Sequence, residues 1–157
     1  MPGLPLIEIR PYRARDLDGV IDLFQRAVRE TASDDYNEAQ IDAWAQADRD
    51  EWELARVSRP TWVAFVGDEL AGFADLEKNG LVDMMFVHPE HQRKGVGTAL
   101  LARIEAEADE AGMTALHTYA SVNGRPFFEY CGFTMLLARA VVVRGQRFVQ
   151  FVMEKVL

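Results

Sequence analysis

Gln92-Arg93-Lys94-Gly95-Val96-Gly97-Thr98 is the stretch of this chain whose residue types could do chemistry together. Two closely spaced glycines let the backbone turn sharply and expose its N–H groups, two cations precede them, and an amphipathic helical pattern follows to about Ala111. Outward-pointing amides at the start of a helix make an anion site. The glycine spacing narrows the choice of anion. A P-loop needs Gly-Lys-Ser/Thr in that order, whereas Lys94 precedes Gly95, and the dinucleotide fingerprint needs a third glycine where Leu100 stands. Spacing excludes both.

Other groups stand out by context. The run Leu81 to Val87 is apolar on both faces except for Asp83, and a carboxylate on a buried-type strand needs a partner or a task. Glu30, Asp34, Asp35, Glu38, Asp42, Asp48, Asp50, Glu51 and Glu53 face a single base, Arg49, and are interleaved with Tyr36, Trp44 and Trp52. Such a segment suits water or a cationic ligand, through charge and ring faces. His88 before Pro89 reads as a brace for a turn. His91 and His117 have no Cys, Asp or His partner at metal-ligand spacing, so no metal site is predicted. Cys131, the single cysteine, permits no internal disulfide and reads as a small core residue. A net charge of −8 argues against nucleic acid or an anionic membrane as partner. No apolar run approaches the ~20 residues of a membrane span and no basic-then-apolar leader opens the chain, so the cytoplasm is the expected location.

The elements that must position these groups follow from periodicity. With 157 residues, 49% of them hydrophobic, a single globular domain over 1–157 is expected. Ile7 to Arg10 alternate as a strand that Pro11 confines to an edge or ends, and a helix is predicted from about 16 to 31 with Asp16 as its cap. Further helical patterns run through Ile41 and Trp44 and around Trp52 to Val57, ending before Pro60. Thr61 to Val66, a Gly67-Asp68 turn and Leu70 to Leu76 read as a hairpin. After an Asn79-Gly80 turn, Leu81 to Val87 is predicted as one central strand covered on both faces. Val96, Leu100, Ile104 and Ala108 form one helical stripe that Gly112 ends, and Thr114 to Ala120 returns as a strand parallel to the 81–87 run. A short helix opens at Pro126 and stops before Gly132, and 136–143 with 147–155 make a long antiparallel hairpin.

Gln92-x-x-Gly95-x-Gly97, preceded by Val87-His88-Pro89 and followed by Thr98-Ala99-Leu100-Leu101, resembles the pyrophosphate motif of the GCN5-related N-acetyltransferase (GNAT) family. Pro126-Phe127-Phe128-Glu129-x-x-Gly132-Phe133 is similar to the same family, as is the element order over nearly the whole chain; Tyr36, Gln40 and Trp44 echo a bacterial subgroup of it. The resemblance implies an α/β (α+β) fold: a mixed, mostly antiparallel sheet with a splayed parallel strand pair and helices on both faces. It implies acetyl-coenzyme A as cofactor, with Gln92 in the motif and the amides of Arg93, Lys94, Gly95, Val96, Gly97 and Thr98 on the diphosphate, where Arg93 and Lys94 add direct cations. Backbone of Met85, Phe86 and Val87 would pair with the pantetheine arm, and Ser121 or Asn123 would bond its amides.

The implied reaction is direct acetyl transfer, in a ternary complex, to a primary amine of a cationic small molecule or peptide. Tyr36, Gln40 and Trp44 would wall the acceptor side. Many members carry a tyrosine four residues before the Gly-Phe pair as the acid for the departing thiolate, and Phe128 stands there. Tyr130 and Tyr119 are the candidate hydroxyls, although a thiol with pKa near ~8.5 can leave unaided. Asp83 is the candidate base; by strand alternation it shares a face with Met85 and Val87, and it needs a raised pKa or a water relay. A monomer or homodimer is expected. Phe128 also keeps open a second class, a non-catalytic acyl-coenzyme A sensor.

Overall fold

The computed structural model describes residues 6–157. Strand β1 (Ile7–Pro11) pairs antiparallel with β2 (Thr61–Val66) at a sheet edge, where proline is tolerated. Between them lie a 3-10 turn (Ala14–Asp16) and helices α1 (Leu17–Thr31), α2 (Glu38–Trp44) and α3 (Arg49–Ser58). Strands β3 (Glu69–Asp75), β4 (Leu81–Val82) and β5 (Met85–Val87) follow, then α4 (Val96–Glu110), β6 (Ala115–Ala120), α5 (Arg125–Tyr130) and the hairpin of β7 (Thr134–Val143) with β8 (Gln146–Val156). Two four-stranded sheets result, ordered β1-β2-β3-β5 and β4-β6-β8-β7; β4 with β6 is parallel and the other pairs are antiparallel.

Strand alternation sends side chains into two cores. Trp62, Ala64 and Ala74 pack with Val96, Leu100 and Ile104 of α4, while Val63 and Phe73 pack with Leu23 and Phe24 of α1 and Trp52 of α3. Helix α4 lies tight on β3 because Gly72 is bare: a Cβ there would meet Val96 at 2.9 Å and Leu100 at 3.0 Å.

The 81–87 run departs from expectation, for it is two strands in different sheets. Asp75, fully buried, causes the break. Its Oδ1 accepts the N–H groups of Asp83 and Met84, both at 2.9 Å, and its Oδ2 accepts Arg56 Nη2 at 3.0 Å. Two amides that would continue a ladder are consumed by a carboxylate. Parallel pairing with β6 therefore stops after Leu81 with His117 and Val82 with Thr118, and the strands part beyond it.

The helix start is also corrected. Asp16 donates no cap to α1; it closes the 3-10 turn by accepting the Arg13 N–H at 2.8 Å and both Arg10 guanidinium nitrogens at 2.8 and 2.9 Å. Burial pushes the Asp16 carboxyl up, but the Arg10 hydrogen bonds and the Arg13 amide outweigh it and hold it below the usual carboxylate range. A depressed acid stabilises the fold above its unfolded value, and that contribution is lost as pH falls through the folded value. The stability gap between wild type and Asp16→Asn, read from urea unfolding, should therefore be largest near neutral pH and close as pH falls below the usual carboxylate range. A constant gap would mean that the charge is not what Asp16 contributes. Tyr36 and Trp52 are buried, and Trp44 is intermediate.

Candidate active site

Where β5 and β6 part, a cleft of about 410 Å³ opens between β5, the start of α4 and the loop after β6. Arg93 at φ 61° and Gly95 at φ 86° swing the chain into α4, which begins without a side-chain cap. The amide of Ala99 is bonded to the Gly95 carbonyl at 3.0 Å, whereas among the described residues no acceptor takes the N–H groups of Val96, Gly97 and Thr98. All three of those residues line the cleft. Gly97 keeps it open: a Cβ there would meet the Phe127 ring at 3.0 Å and Val87 at 3.6 Å. The opposite wall is strand edge. Met84 O accepts Asp75 N–H and His88 N–H donates to Ala71 O, so by alternation Met85 and Val87 turn their backbone groups away from β3 and across the gap. Gln92 Nε2 donates to the Val87 carbonyl at 3.0 Å and bolts the glycine loop to this strand.

Arg93 lines the cleft and Lys94 does not. Buried His91 captures Lys94 instead, with Lys94 Nζ 3.2 Å from His91 Nδ1 and His91 Nε2 3.1 Å from Glu69. Ser121 and Asn123 sit at the far end; Ser121 Oγ donates to Asn123 Oδ1 at 2.8 Å and accepts the Gly124 N–H at 3.1 Å.

A second cavity, of about 200 Å³, lies on the other side of the gap and shares Trp44, Met85, Phe86, Ser121, Gly124 and Phe128 with the first. Tyr36, Phe148 and the hairpin valines Val141, Val143 and Val149 complete its walls. Among the described residues Asp83 is the only charged side chain that lines it, and Arg59 Nη1 donates to its Oδ2 at 3.1 Å. Tyr36 Oη accepts the Val122 N–H at 2.9 Å, and burial pushes its phenol above the usual value, so it keeps its proton at neutral pH. Tyr119 lines the same cavity under the Arg139 guanidinium, 4.4 Å above its ring.

Besides Lys94, two candidate residues are not brought to the site. Tyr130 is 84% exposed and lines neither cavity. It lies two residues beyond Phe128, about 200° round the helix from a side chain that faces both cavities. Gln40 is spent on structure: its Oε1 accepts the Asn37 N–H at 2.9 Å and its Nε2 donates to Arg147 O at 2.8 Å. Asp34, Asp35, Glu38 and the other acids of 30–53 are exposed and line neither cavity.

These features have a match among known proteins. The model of the acetyltransferase (GNAT) domain matches residues 32–155. The chain belongs to the GNAT acetyltransferase family. It is 37% identical over 148 residues to the N-acetyltransferase YafP of Escherichia coli K12, covering 94% of this chain and 95% of that one. A GCN5-related N-acetyltransferase from Rhodopseudomonas palustris superposes with a TM-score of 0.95 at 28% identity, over 100% of this chain and 99% of that one. The PaiA N-acetyltransferase of Thermoplasma acidophilum, solved with coenzyme A, shares the fold at a TM-score of 0.81 and 22% identity, over 97% and 99% of the two chains. This GNAT chain is thus an acetyl-coenzyme A dependent N-acetyltransferase, and the sensor reading yields to an enzyme.

In this GNAT member, sequence reasoning missed Asp75 and the hairpin walls Val141, Val143 and Phe148. Asp75 carried the same signal as Asp83, a lone acid in an apolar run; the hairpin walls carried none, since they reach the cavity only through the fold. Among the described residues no cluster of His, Cys, Asp or Glu is placed to hold a metal ion, and no helix is long and apolar enough to cross a membrane.

Proposed function

We propose that residues 1–157 act as one cytoplasmic acetyltransferase domain that moves acetyl from acetyl-coenzyme A to a primary amine by direct attack in a ternary complex. The carrying observation is the common wall of the two cavities, Trp44, Met85, Phe86, Ser121, Gly124 and Phe128, at the point where the strands part. The residues present fit the cofactor, because three unpartnered helix amides, a bare Gly97 and Arg93 gather on one side of the cleft. Those amides and Arg93 would hold the diphosphate. The backbone groups of Met85 and Val87 would take the pantetheine arm as a sheet edge takes an added strand. When bound, acetyl-coenzyme A supplies an acetyl group activated as a thioester.

The chain's own part is to orient the amine and receive its proton. Asp83, among the described residues the one carboxylate of the acceptor cavity, would accept that proton, directly or through water. Tyr36 and Tyr119 line the same cavity, whereas Tyr130 does not. Phe128 contributes only shape where a tyrosine is usual, so most of the rate comes from bringing amine and acyl group together.

Asp83→Asn tests this reading. Its kcat/KM with acetyl-coenzyme A and an amine should fall by roughly 10²-fold at neutral pH, and the loss should shrink as pH rises and supplies free amine. Unchanged kcat/KM would move proton removal out of the site. If acetyl-coenzyme A raises the melting temperature no more than ATP does, the cofactor assignment itself is wrong.

A further inference from the structure

The acceptor cavity has a character that the acidic segment upstream does not predict. Among the described residues six aromatic side chains line it, and four of them touch one another: Trp44 lies 6.3 Å from Phe148 and 6.4 Å from Phe86, and Tyr36 lies 5.4 Å from Trp44 and 5.6 Å from Phe148. These mutual contacts fix the rings, so the cavity is a preformed apolar slot. At about 200 Å³ it is smaller than the ~300–1,000 Å³ of drug-sized pockets, which limits the occupant to a single ring or a short chain.

Charge points the same way. Asp83, among the described residues the only charged one of the lining, is already engaged by Arg59, which also lies 3.4 Å from Glu77 and 3.6 Å from Asp75. At the rim Arg139 covers Tyr119 and donates to Gln150, another wall residue, at 3.2 Å. A molecule with a second ammonium would have to bury it among rings with no unshared carboxylate and a guanidinium nearby, and a buried charge without a partner is strongly disfavoured. The acids of 30–53 stand in water, where charge pairs contribute little and discriminate poorly.

We propose that the acceptor is a small primary amine with one nitrogen and an apolar body, either a single aromatic ring or a short alkyl chain, seated among Trp44, Phe86 and Phe148. This rests on the acetyl-transfer reading above. Polyamines, aminoglycosides and lysine-bearing peptides are excluded by the same walls.

The experiment has a kinetic and a binding arm. With acetyl-coenzyme A, kcat/KM for 2-phenylethylamine and hexylamine should exceed that for spermidine at least tenfold, measured by thiol release. In the absence of acetyl-coenzyme A, 2-phenylethylamine should change tryptophan fluorescence saturably, and Trp44→Phe should abolish the change while spermidine has no effect on wild type. Val149→Asp alters an exposed wall residue, so folding is retained, and it places an unpaired carboxylate in the cavity. It should lower kcat/KM for 2-phenylethylamine and raise it for spermidine. Spermidine or a lysine peptide turned over as well as the apolar amines by wild type overturns the proposal, and so does the lack of any binding of 2-phenylethylamine. Binding of 2-phenylethylamine without acetylation of any amine upholds the slot and overturns the transfer reading instead.

Discussion

Asp75→Ala should cost about 3–5 kcal/mol of stability, because it leaves the buried Arg56 guanidinium without its counter-charge and two strand amides without their acceptor. In a chain of this length that is a fall of roughly 10 °C or more in melting temperature. Burial holds the Asp75 carboxyl above the usual carboxylate range, with Arg56 and the Met84 amide pulling against it. The variant should lose acetyl-coenzyme A affinity as well, since the two amides are free to resume a ladder and narrow the gap between β5 and β6. Asp75→Asn separates the effects. Its remaining oxygen can still accept the Asp83 and Met84 N–H groups, so it should be destabilised yet retain affinity at a temperature where it is folded. If Asp75→Ala melts within about 2 °C of wild type, packing of Phe86 and Met84 holds the break and the carboxylate does not.

Gly97→Val should weaken coenzyme A binding by on the order of 10²-fold, measured by calorimetry. A side chain there meets the Phe127 ring and closes over the three unpartnered amides, and one or two charge-assisted hydrogen bonds of about 1.5–3 kcal/mol each account for such a change. At a ligand concentration of about 100 Kd, wild type gains about 2.7 kcal/mol, or roughly 5–10 °C, and the variant should gain almost nothing. Gly112→Ala is the control. It also strains a glycine, at φ 78°, but with open space around it and away from the cleft, so it should lower the melting temperature without changing Kd. An unchanged Kd in Gly97→Val would place the diphosphate elsewhere.

The order of elements, the glycine loop and the α4 stripe were legible because they are local: periodicity and two glycines report on their own neighbours. The break at Asp83 was not, because its cause sits on β3 and no pattern within 81–87 reveals a partner eight residues back. Lys94 shows a related limit: its charge suggested an anion, and the sequence does not reveal that folding sets its ammonium 3.2 Å from His91 Nδ1. The acidic run was read as an acceptor wall from composition, and folding turned its rings inward and its carboxylates outward. Tyr36 and Trp44 thus belong to the cavity, while Gln40, between them in the chain, serves the helix start and β8.

Trp44 and Phe128 face both chambers at once, so a change in either ring reshapes both. Thermodynamic reciprocity then applies: whatever factor the nucleotide-bearing molecule contributes to affinity for the amine, the amine returns to it unchanged. A substitution at either ring alters that shared factor and moves both affinities together. Over evolutionary time a change of acceptor that passes through this wall therefore has to be balanced by compensating substitutions on the coenzyme side, whereas a change through the hairpin valines leaves the coenzyme side untouched.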